Sequence, residues 1–384
     1  MNTEQLRHLL PITRNINYMN TGWAGPSPIP VIQRVSETME WEALNGPASR
    51  KGLEFIRGVF ELGRQSVSDL LNCDSGEAWI THSTTEGVNI VMHGLDWDAG
   101  DELVVCDLEH VALMSPAQVL AQRKGVNVNV AAVSPKATRD DILEIIDREL
   151  RPGVKLVALS HIQYTCGLKM PIKEITDLAH QKGIPVLVDG AQSVGQIEVN
   201  VKDLGCDFYA MSGQKWLMGP TGTGALYVSK SSMGLLEPHF TTNDLESVRP
   251  TERLPLARFS LASQSGALVA GLIEAVSIAN QIGLGQIETR SLALSDLLRE
   301  RVSHVAGCEV LGPITGPSSC GLVTLRVGDW DPSDLVEELE QQFGIAARAV
   351  HNPDGIRFST HFFNTEDEVE RVAATLVEVA SRHF

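Results

Sequence analysis

The sequence predicts an α/β fold, with a large domain built on a mostly parallel, mixed sheet flanked by helices and a smaller α+β domain at the C-terminal end. Apolar runs of strand character alternate with helical segments between residues 77 and 188, as in parallel sheets covered on both faces. After residue 227 this alternation stops, and strands and helices mix. The predicted domain boundaries place an N-terminal arm, associated with the small domain, at 1–15, the large domain at 16–262 and the small domain at 263–384.

The composition is that of a soluble globular protein. The 384 residues are 43% hydrophobic and 21% charged, and this length suffices for two domains with their own cores. The net charge of −17 argues against nucleic-acid or anionic-membrane binding. The sequence contains neither an apolar run of ~18 residues nor a signal peptide pattern. Scattered cysteines predict free thiols in the cytoplasm, with no disulfides and no metal site: Cys73, Cys106, Cys166, Cys206, Cys308 and Cys320.

The segments before the first predicted strand are mostly helical. Residues 1–15 are predicted to be a short helical arm, and longer helices are predicted at about 30–44 and 52–72. The segment 18–28 is predicted to be a loop because glycines and prolines interrupt it. In the second long helix, apolar residues recur at helical spacing, namely Phe55, Val59, Phe60 and Leu62.

Five strands then alternate with helices. Thr138 is predicted to cap a helix, because Asp140 and Asp141 lie in its first turn, where the helix dipole favours acids. Pro171 suits the first turn of a later helix. The strands are predicted at 77–80, 103–106, 126–133, 154–159 and 184–188. Helices are predicted at 84–93 and 112–122, and the helix capped by Thr138 is predicted to end at about residue 150.

The C-terminal third has a different pattern. Residues 235–262 are predicted to be irregular. Helices and strands then mix in the manner of an α+β domain. The helices are predicted at about 266–281, 286–305, 332–342 and 366–381, and the strands at 321–327, 345–350 and 355–359.

Polar side chains gather where the predicted strands end. Ligands of parallel sheets bind beyond the carboxyl ends of the strands, and suitable residues follow four of the five strands. One edge that collects all of them is harder to explain by chance than any one of them. They are Thr84, Thr85, Glu109, His110, Ser160, His161, Asp189 and Gln192.

Asp189 and Lys215 form the strongest chemical signal. Asp189 ends an apolar strand, where an unpaired carboxylate is costly. Lys215 lies in Ser212-Gly-Gln-Lys-Trp, before a glycine-rich run. A lysine that forms an imine and an acid that faces a pyridine nitrogen are what pyridoxal phosphate needs from its protein, and burial promotes the deprotonated amine. We therefore predict that Lys215 holds pyridoxal 5'-phosphate and that Asp189 keeps its ring protonated.

Other residues are candidate partners for the rest of this cofactor and for the substrate. Hydroxyls and backbone N–H groups where Thr84 and Thr85 begin a helix suit a phosphate, although such a run is equally an ordinary N-cap. Ser212 is a second phosphate candidate, Gln192 suits the phenolic oxygen, and His110 suits the ring face. For His161 and His361, structural and functional roles both stay open. Arg357 is the candidate clamp for an α-carboxylate, since a guanidinium binds both oxygens.

Together these residues resemble the class V aminotransferase family of fold-type I pyridoxal phosphate enzymes. That family includes cysteine desulfurases, kynureninase, isopenicillin N epimerase-like proteins and cysteine/cystine C–S lyases. The resemblance extends from Tyr18-Met-Asn-Thr-Gly to the run that begins at Arg357. Its core motif is Val188-Asp-Gly-Ala-Gln-Ser followed by Ser212-Gly-Gln-Lys-Trp.

The resemblance implies a role for each matching residue. It implies that Lys215 is the Schiff-base lysine and that His110 and Asp189 share the catalytic work. It also implies a homodimer with a shared active site, and an amino-acid substrate. The implied cofactor contacts are Lys215, Asp189, Gln192, His110, Thr84, Thr85, Ser212, Gln214 (where His is usual) and Ser263 from the partner chain, and the implied substrate contacts are Arg357, Thr21 and Gly22.

The reaction is predicted from a missing residue. Desulfurases of this family carry a reactive cysteine on the loop before the carboxylate arginine, whereas the run 348–357 is short and has no cysteine. The chain therefore resembles the C–S lyase branch, which implies β-elimination from an S-substituted cysteine to give pyruvate, ammonia and a thiol or persulfide. The alternatives are an epimerase, an aminotransferase, a decarboxylating deaminase, or a non-catalytic binding protein that kept the fold.

Overall fold

The computed structural model describes residues 1–240, 255–261 and 263–383. Its helices bury one face each against the sheets or against one another. In chain order they are α1 (Thr3–His8), α2 (Ile29–Asn45), α3 (Arg50–Leu71), α4 (Thr84–Gly94), α5 (Val111–Lys124), α6 (Arg139–Glu149), α7 (Ile172–Gln181), α8 (Val201–Leu204), α9 (Gly266–Ile282), α10 (Leu284–Val302), α11 (Pro332–Phe343) and α12 (Glu366–Ala380).

A seven-stranded sheet forms the centre of the segment between residues 78 and 228. Its strands are β2 (Ala78–Thr81), β3 (Glu102–Cys106), β4 (Asn127–Ala131), β5 (Val154–Ser160), β6 (Val186–Asp189), β7 (Phe208–Ser212) and β8 (Gly224–Val228). They lie in the order β2-β8-β7-β6-β5-β3-β4. Only β8 runs antiparallel to its neighbours within this sheet. The predicted mostly parallel, mixed sheet is therefore confirmed, although β7 and β8 were not predicted as separate strands.

Both faces of this sheet are buried. Successive side chains of a strand point to opposite faces, so Leu187 packs in one hydrophobic cluster with Val88 and Val91 of α4, while Val188 packs in the other. Local capping supports the flanking helices. Thr138 caps α6 through a reciprocal capping box with Asp141, as predicted.

The C-terminal residues form two smaller sheets. A four-stranded antiparallel sheet has the order β12-β13-β10-β9, and β1 pairs with β11 in a two-stranded sheet. The strands are β1 (Asn17–Tyr18), β9 (Cys308–Val310), β10 (Leu322–Val327), β11 (Ile345–Ala346), β12 (Arg348–Val350) and β13 (Gly355–Ser359). The single predicted strand at 345–350 is wrong: β11 and β12 belong to different sheets, because the chain changes partner at Ala347.

The other differences from prediction are local. The arm is not one helix, because α1 ends at His8 and a 3₁₀ helix begins at Pro11, whose ring cannot continue an α-helix. Strand β9 was not predicted. Of the segment 235–262, residues 241–254 and 262 lie outside the described residues, and Pro255–Phe259 forms a 3₁₀ helix.

No single helix within the described ranges is long and apolar enough to span a membrane. Helices α9 and α10 reach the required length and composition only as a pair, and this pair is bent by 75°.

Candidate active site

A cavity of about 220 Å³ opens where the central strands end. Ser160, Asp189 and Ser212 are the last residues of β5, β6 and β7, and parallel register brings Ser160 beside Asp189. The polar edge expected from the sequence is therefore present. The cavity is lined by Trp23, Ser83, Thr84, Thr85, His110, Ala112, Ser160, Ile162, Tyr164, Asp189, Ala191, Gln192, Ser212, Gln214, Lys215 and Arg348.

Lys215 and Asp189 both line this cavity and interact electrostatically. Lys215 belongs to the loop between β7 and β8, and desolvation lowers the pKa of its amine to about 8, partly opposed by the charge of Asp189. Asp189 is buried, and desolvation raises the pKa of its carboxyl group, which Lys215 opposes. One carboxylate oxygen, Oδ1, accepts a hydrogen bond from Ala191 N at 2.8 Å. The other carboxylate oxygen has no partner among the described residues and is available to a ligand.

Gln192 is held by two bonds that fix its amide. Its Oε1 accepts from Trp216 Nε1 at 2.9 Å, and its Nε2 donates to Gly22 O at 2.8 Å. These two partners assign the amide orientation. Since Nε2 carries two hydrogens, one donor is left for a ligand. Trp216 follows Lys215 directly, so the same loop positions both the amine and the amide.

The start of α4 supplies the expected cradle for a phosphate. Ser83 is the N-cap, with its Oγ accepting from Glu86 N at 3.2 Å, and Thr84 and Thr85 are the first helical residues. Within the described part of the chain, three side chains facing this point have buried polar atoms without partners: Thr84 Oγ1, Ser212 Oγ and Gln214 Oε1.

Each such unpaired group costs about 1–3 kcal/mol if nothing binds it. Hydroxyls aimed at a helix N-terminus, where the dipole favours anions, suit a phosphate group. The residues present therefore fit the phosphate of the expected cofactor.

His110 is a neutral imidazole at the cavity wall. It is the N-cap of α5, and its Nδ1 accepts from Ala112 N at 3.1 Å, which places the ring proton on Nε2. Desolvation, with the charge of Lys215, lowers the pKa of His110 to about 4. The ring meets Tyr164 edge to face, with centroids 4.7 Å apart. An uncharged imidazole ring thus lines the site.

Two arginines lie side by side at the far end of the site. Arg357 of β13 and Arg348 of β12 are directly paired across the strands. Arg357 is 0% exposed, and its guanidinium makes one hydrogen bond, from Nη1 to Tyr164 O at 2.6 Å. Its Nε and Nη2 have no partner in the described part of the chain. Desolvation, reinforced by Arg348, lowers the pKa of Arg357 to about 9.

Like charges placed directly opposite each other in a sheet are destabilising. An anion bound between these two arginines would relieve that cost. The role of Arg348 was missed from the sequence, although the predicted strands flanking Asn-Pro-Asp-Gly would have placed it opposite Arg357 in a hairpin.

Four predicted contacts are absent from the lining of this cavity, namely Thr21, Gly22, Ser263 and the fully buried Arg357. Thr21 is buried and lies in the same loop as Gly22, whose carbonyl binds Gln192. Ser263 is exposed, has a φ of 63°, and lies in another groove with Arg57 and Arg64. The contact of Ser263 with a partner chain stays a prediction.

The two histidines whose roles were left open, together with Glu109, lie behind the cavity wall. His161 Nδ1 bonds the hydroxyl of Tyr209 at 2.9 Å, and His361 Nε2 bonds the carbonyl of Trp216 at 2.9 Å. Glu109 accepts from Ser160 N at 3.0 Å. Desolvation raises the pKa of this buried carboxyl group to about 7. These three residues support the cavity wall and do not themselves line the cavity.

None of the six cysteines lines the cavity. Burial raises the pKa of the thiols, to about 12 for Cys73 and Cys166 and to about 11 for Cys308. A thiol with such a pKa is almost entirely protonated at neutral pH and is a poor nucleophile. The turn between β12 and β13, at 351–354, has no cysteine either.

The family model for class V aminotransferases matches residues 24–372. The chain belongs to this family. A probable cysteine desulfurase of Methanothermobacter thermautotrophicus is 31% identical, over 99% of this chain and 98% of the relative. The predicted family membership is thereby confirmed.

Solved structures extend the similarity to the fold. The complex of the cystine C–S lyase C-DES with its reaction product cysteine persulfide has a TM-score of 0.89 and 28% identity, over 96% of this chain and 99% of that chain. A C-DES mutant with glycine covalently linked to the PLP cofactor has a TM-score of 0.90 and 27% identity, over 97% and 99%. The fold-type I architecture expected for the chain is thus confirmed.

Proposed function

We propose that this protein is a pyridoxal 5'-phosphate-dependent C–S lyase that carries out β-elimination on an S-substituted cysteine. The observation that carries this proposal is one cavity that is lined by Lys215, Asp189 and Arg348 and by none of the six cysteines. The similarity to C-DES, a cystine C–S lyase of which a mutant structure contains glycine covalently linked to the PLP cofactor, supports it.

The chain's residues divide the binding of the cofactor among them. Lys215 would hold it covalently, and Asp189 would face its ring nitrogen through the free carboxylate oxygen. Gln192 would donate its remaining N–H to the phenolic oxygen, and His110 would lie against the ring. The phosphate would bind Thr84 Oγ1, Thr85, Ser212 Oγ and the side-chain amide of Gln214. When bound, the cofactor acts as an electron sink for carbanion chemistry at Cα.

Lys215 then serves as the base. Because the pKa of its amine is lowered to about 8, a useful fraction is uncharged near neutral pH and can remove the α-proton of the substrate. The Cβ–S bond breaks, and the sulfur leaves with the bonding electrons as a thiolate or persulfide. Water then releases the three-carbon fragment as pyruvate and ammonia.

The two arginines define the kind of substrate. Arg357, with two unpartnered nitrogens, suits the α-carboxylate of the amino acid. Arg348 lines the cavity and is available for a second anion. We therefore infer a substrate with a carboxylate at each end, such as a disulfide of two cysteines.

The test is a substrate screen with product analysis. Cystine is expected to yield stoichiometric pyruvate and a low-molecular-weight persulfide, with no persulfide on the protein. Racemised cystine without pyruvate would indicate an epimerase, and keto acid dependent on an amino acceptor would indicate an aminotransferase. Absence of any covalent cofactor after incubation with pyridoxal phosphate would leave the non-catalytic alternative.

We also propose a cytoplasmic homodimer whose second copy covers the outer face of α2 and α3. That face carries large apolar side chains that are more than half exposed, up to 86% for Leu44, which a monomer has no reason to display. It adjoins the groove that contains Ser263. The exposed members are Ile32, Met39, Leu44, Leu53 and Leu62.

Light scattering after gel filtration tests the dimer. Wild-type protein is expected at twice the chain mass, and a Leu44→Glu/Leu62→Glu variant at the chain mass with reduced cofactor retention. Ile314→Glu is the matched control, since Ile314 is similarly exposed but lies elsewhere. A wild-type monomer with full activity would refute the shared site.

A further inference from the structure

The guanidinium of Arg348, a residue that lines the cavity, lies over two aromatic rings. Its guanidinium carbon lies 4.6 Å from the ring centroid of Trp23 and 5.9 Å from that of Tyr164. No carboxylate within the described residues pairs with it. Trp23 is 57% exposed, a high fraction for an indole that lines a cavity. We call Trp23 and Tyr164 the aromatic clamp.

Trp23 is attached to the catalytic loop through its neighbours. Gly25 N donates to Gln214 O at 2.7 Å, and Tyr18 Oη donates to Ala24 O at 2.6 Å. A Cβ at Gly25 would lie 2.1 Å from Lys215 O, so only glycine permits this close approach. The indole is therefore fixed relative to Lys215 even though much of its surface is open.

Tyr164 also contacts two residues of the site, Arg357 and His110. Its carbonyl accepts the one hydrogen bond of Arg357, and its ring packs against His110. The two halves of the aromatic clamp thus come from loops that each touch a separate group of the active site. The binding of any ligand to Arg348 therefore depends on the positions of both rings.

The aromatic rings and a carboxylate ligand contact different parts of the Arg348 guanidinium. An aromatic ring attracts a guanidinium through its flat face, whereas a carboxylate binds the N–H groups along the edge. Holding Arg348 by the face restricts its rotamers and leaves the edge free. A carboxylate partner from the protein would instead consume those donors and neutralise the charge.

We propose that Trp23 and Tyr164 are specificity-determining residues, which hold Arg348 face-on so that its edge binds the second carboxylate of a two-headed substrate. This inference rests on the proposed C–S lyase function. It predicts that losing the aromatic clamp penalises substrates with a carboxylate at both ends and spares substrates with one.

The experiment compares cystine with S-methylcysteine, which lacks the second carboxylate. Trp23→Ala is expected to lower kcat/KM for cystine about 3- to 30-fold, through KM, with S-methylcysteine changed less than about 2-fold. Trp23→Phe, which restores a ring face, is expected to recover most of the loss. Arg348→Gln is expected to remove the preference for cystine altogether.

A binding readout separates recognition from turnover. Calorimetric titration of cystine into the Lys215→Ala protein is expected to show the same loss of affinity when Trp23→Ala is added. Equal losses for both substrates, or no loss for either, would overturn the role of the aromatic clamp. If wild-type protein releases pyruvate from neither substrate, the proposed function itself fails instead.

Discussion

Arg357 and Arg299 are both buried arginines of the C-terminal part of the chain, but they differ in what surrounds them. Arg299 of α10, 2% exposed, donates to Ser295 and Asp296 through Nη1 and to the carbonyls of Cys320 and Leu322 through Nη2. Among the described residues, the guanidinium of Arg357 has one hydrogen bond, to Tyr164 O. A buried charge with several protein partners supports the fold, whereas one with a single partner is kept for a ligand.

Two aspartates at opposite edges of the central sheet repeat this contrast. Asp207, just before β7, accepts from His180 Nε2 at 2.8 Å, Val186 N at 2.8 Å and Ser232 Oγ. The carboxylate of Asp189, at the carboxyl end of β6, accepts only from Ala191 N within the described ranges. The amino edge of the sheet therefore uses its carboxylate to join elements, and the carboxyl edge leaves its carboxylate available.

The lysines Lys202 and Lys215 give the largest expected difference in the effect of substitution on activity and on stability. Lys202 pairs with buried Glu77, whereas Lys215 has no salt bridge in the described part of the chain. Lys215→Ala is expected to lower kcat by about 10³-fold or more, because both the covalent attachment and the base are lost, with little change in Tm. Lys202→Ala is expected to lower Tm and leave kcat within about 2-fold. Steady-state kinetics and thermal melts of both variants decide it.

The two arginines give the next contrast. Arg357→Gln is expected to raise KM about 100-fold, since the α-carboxylate loses its charge-assisted bonds, while stability changes little. Arg299→Gln is expected to cost about 3 kcal/mol of unfolding free energy, because Asp296 and two carbonyls lose their partner. Urea titrations and KM values measure the two effects. An Arg357 variant that unfolds like the Arg299 variant would contradict the division between ligand-binding and structural charges.

The aspartates follow, with smaller effects expected. Asp189→Asn is expected to lower kcat about 10²-fold and to change the absorption spectrum of the bound cofactor, because the ring nitrogen loses its anionic partner. Asp207→Asn is expected to cost about 1–3 kcal/mol of stability through weakened bonds to β6 and α7. Its cofactor spectrum should match that of the wild type. Identical spectra for both variants would remove Asp189 from the ring nitrogen.

The sequence was sufficient where local chemistry decides structure. Alternating apolar strands, the Thr138 cap and the Asp189–Lys215 motif are each readable within a short window. The sheet edge that unites them follows from a general rule about parallel strands. These features predicted the large domain and most of the cavity wall.

The missed features depend on pairing between distant segments. The run 345–350 is divided because β11 pairs with β1 whereas β12 pairs with β13. The apolar pattern of a single sequence does not show which strand each part of the run pairs with. Trp23, Tyr164 and Arg348 come from three separate regions, and only the folded chain brings them together. Arg348 alone had a local signal, in the hairpin that places it opposite Arg357.

The pH dependence of Lys215 sharpens the comparison in the cofactor-free protein. In the folded protein the pKa of the Lys215 amine is about 8, below the ordinary lysine value, so the fraction of reactive neutral amine grows as pH rises toward 8. The rate of covalent attachment of pyridoxal phosphate is therefore expected to rise about 15-fold from pH 6.5 to 8 and to level off above it. Stopped-flow absorbance measures this rate.

Arg348→Gln provides the internal check on this profile. Arg348 helps to lower the pKa of Lys215 through charge repulsion, so its removal is expected to move the midpoint upward. The shift should be less than about one pH unit, because desolvation is the larger cause. Arg326→Gln, a surface change at a paired arginine, should leave the midpoint in place. A midpoint near the ordinary lysine value in wild-type protein would mean that the Lys215 amine is solvated. Lys215 would then no longer support the contrast between the two edges of the sheet.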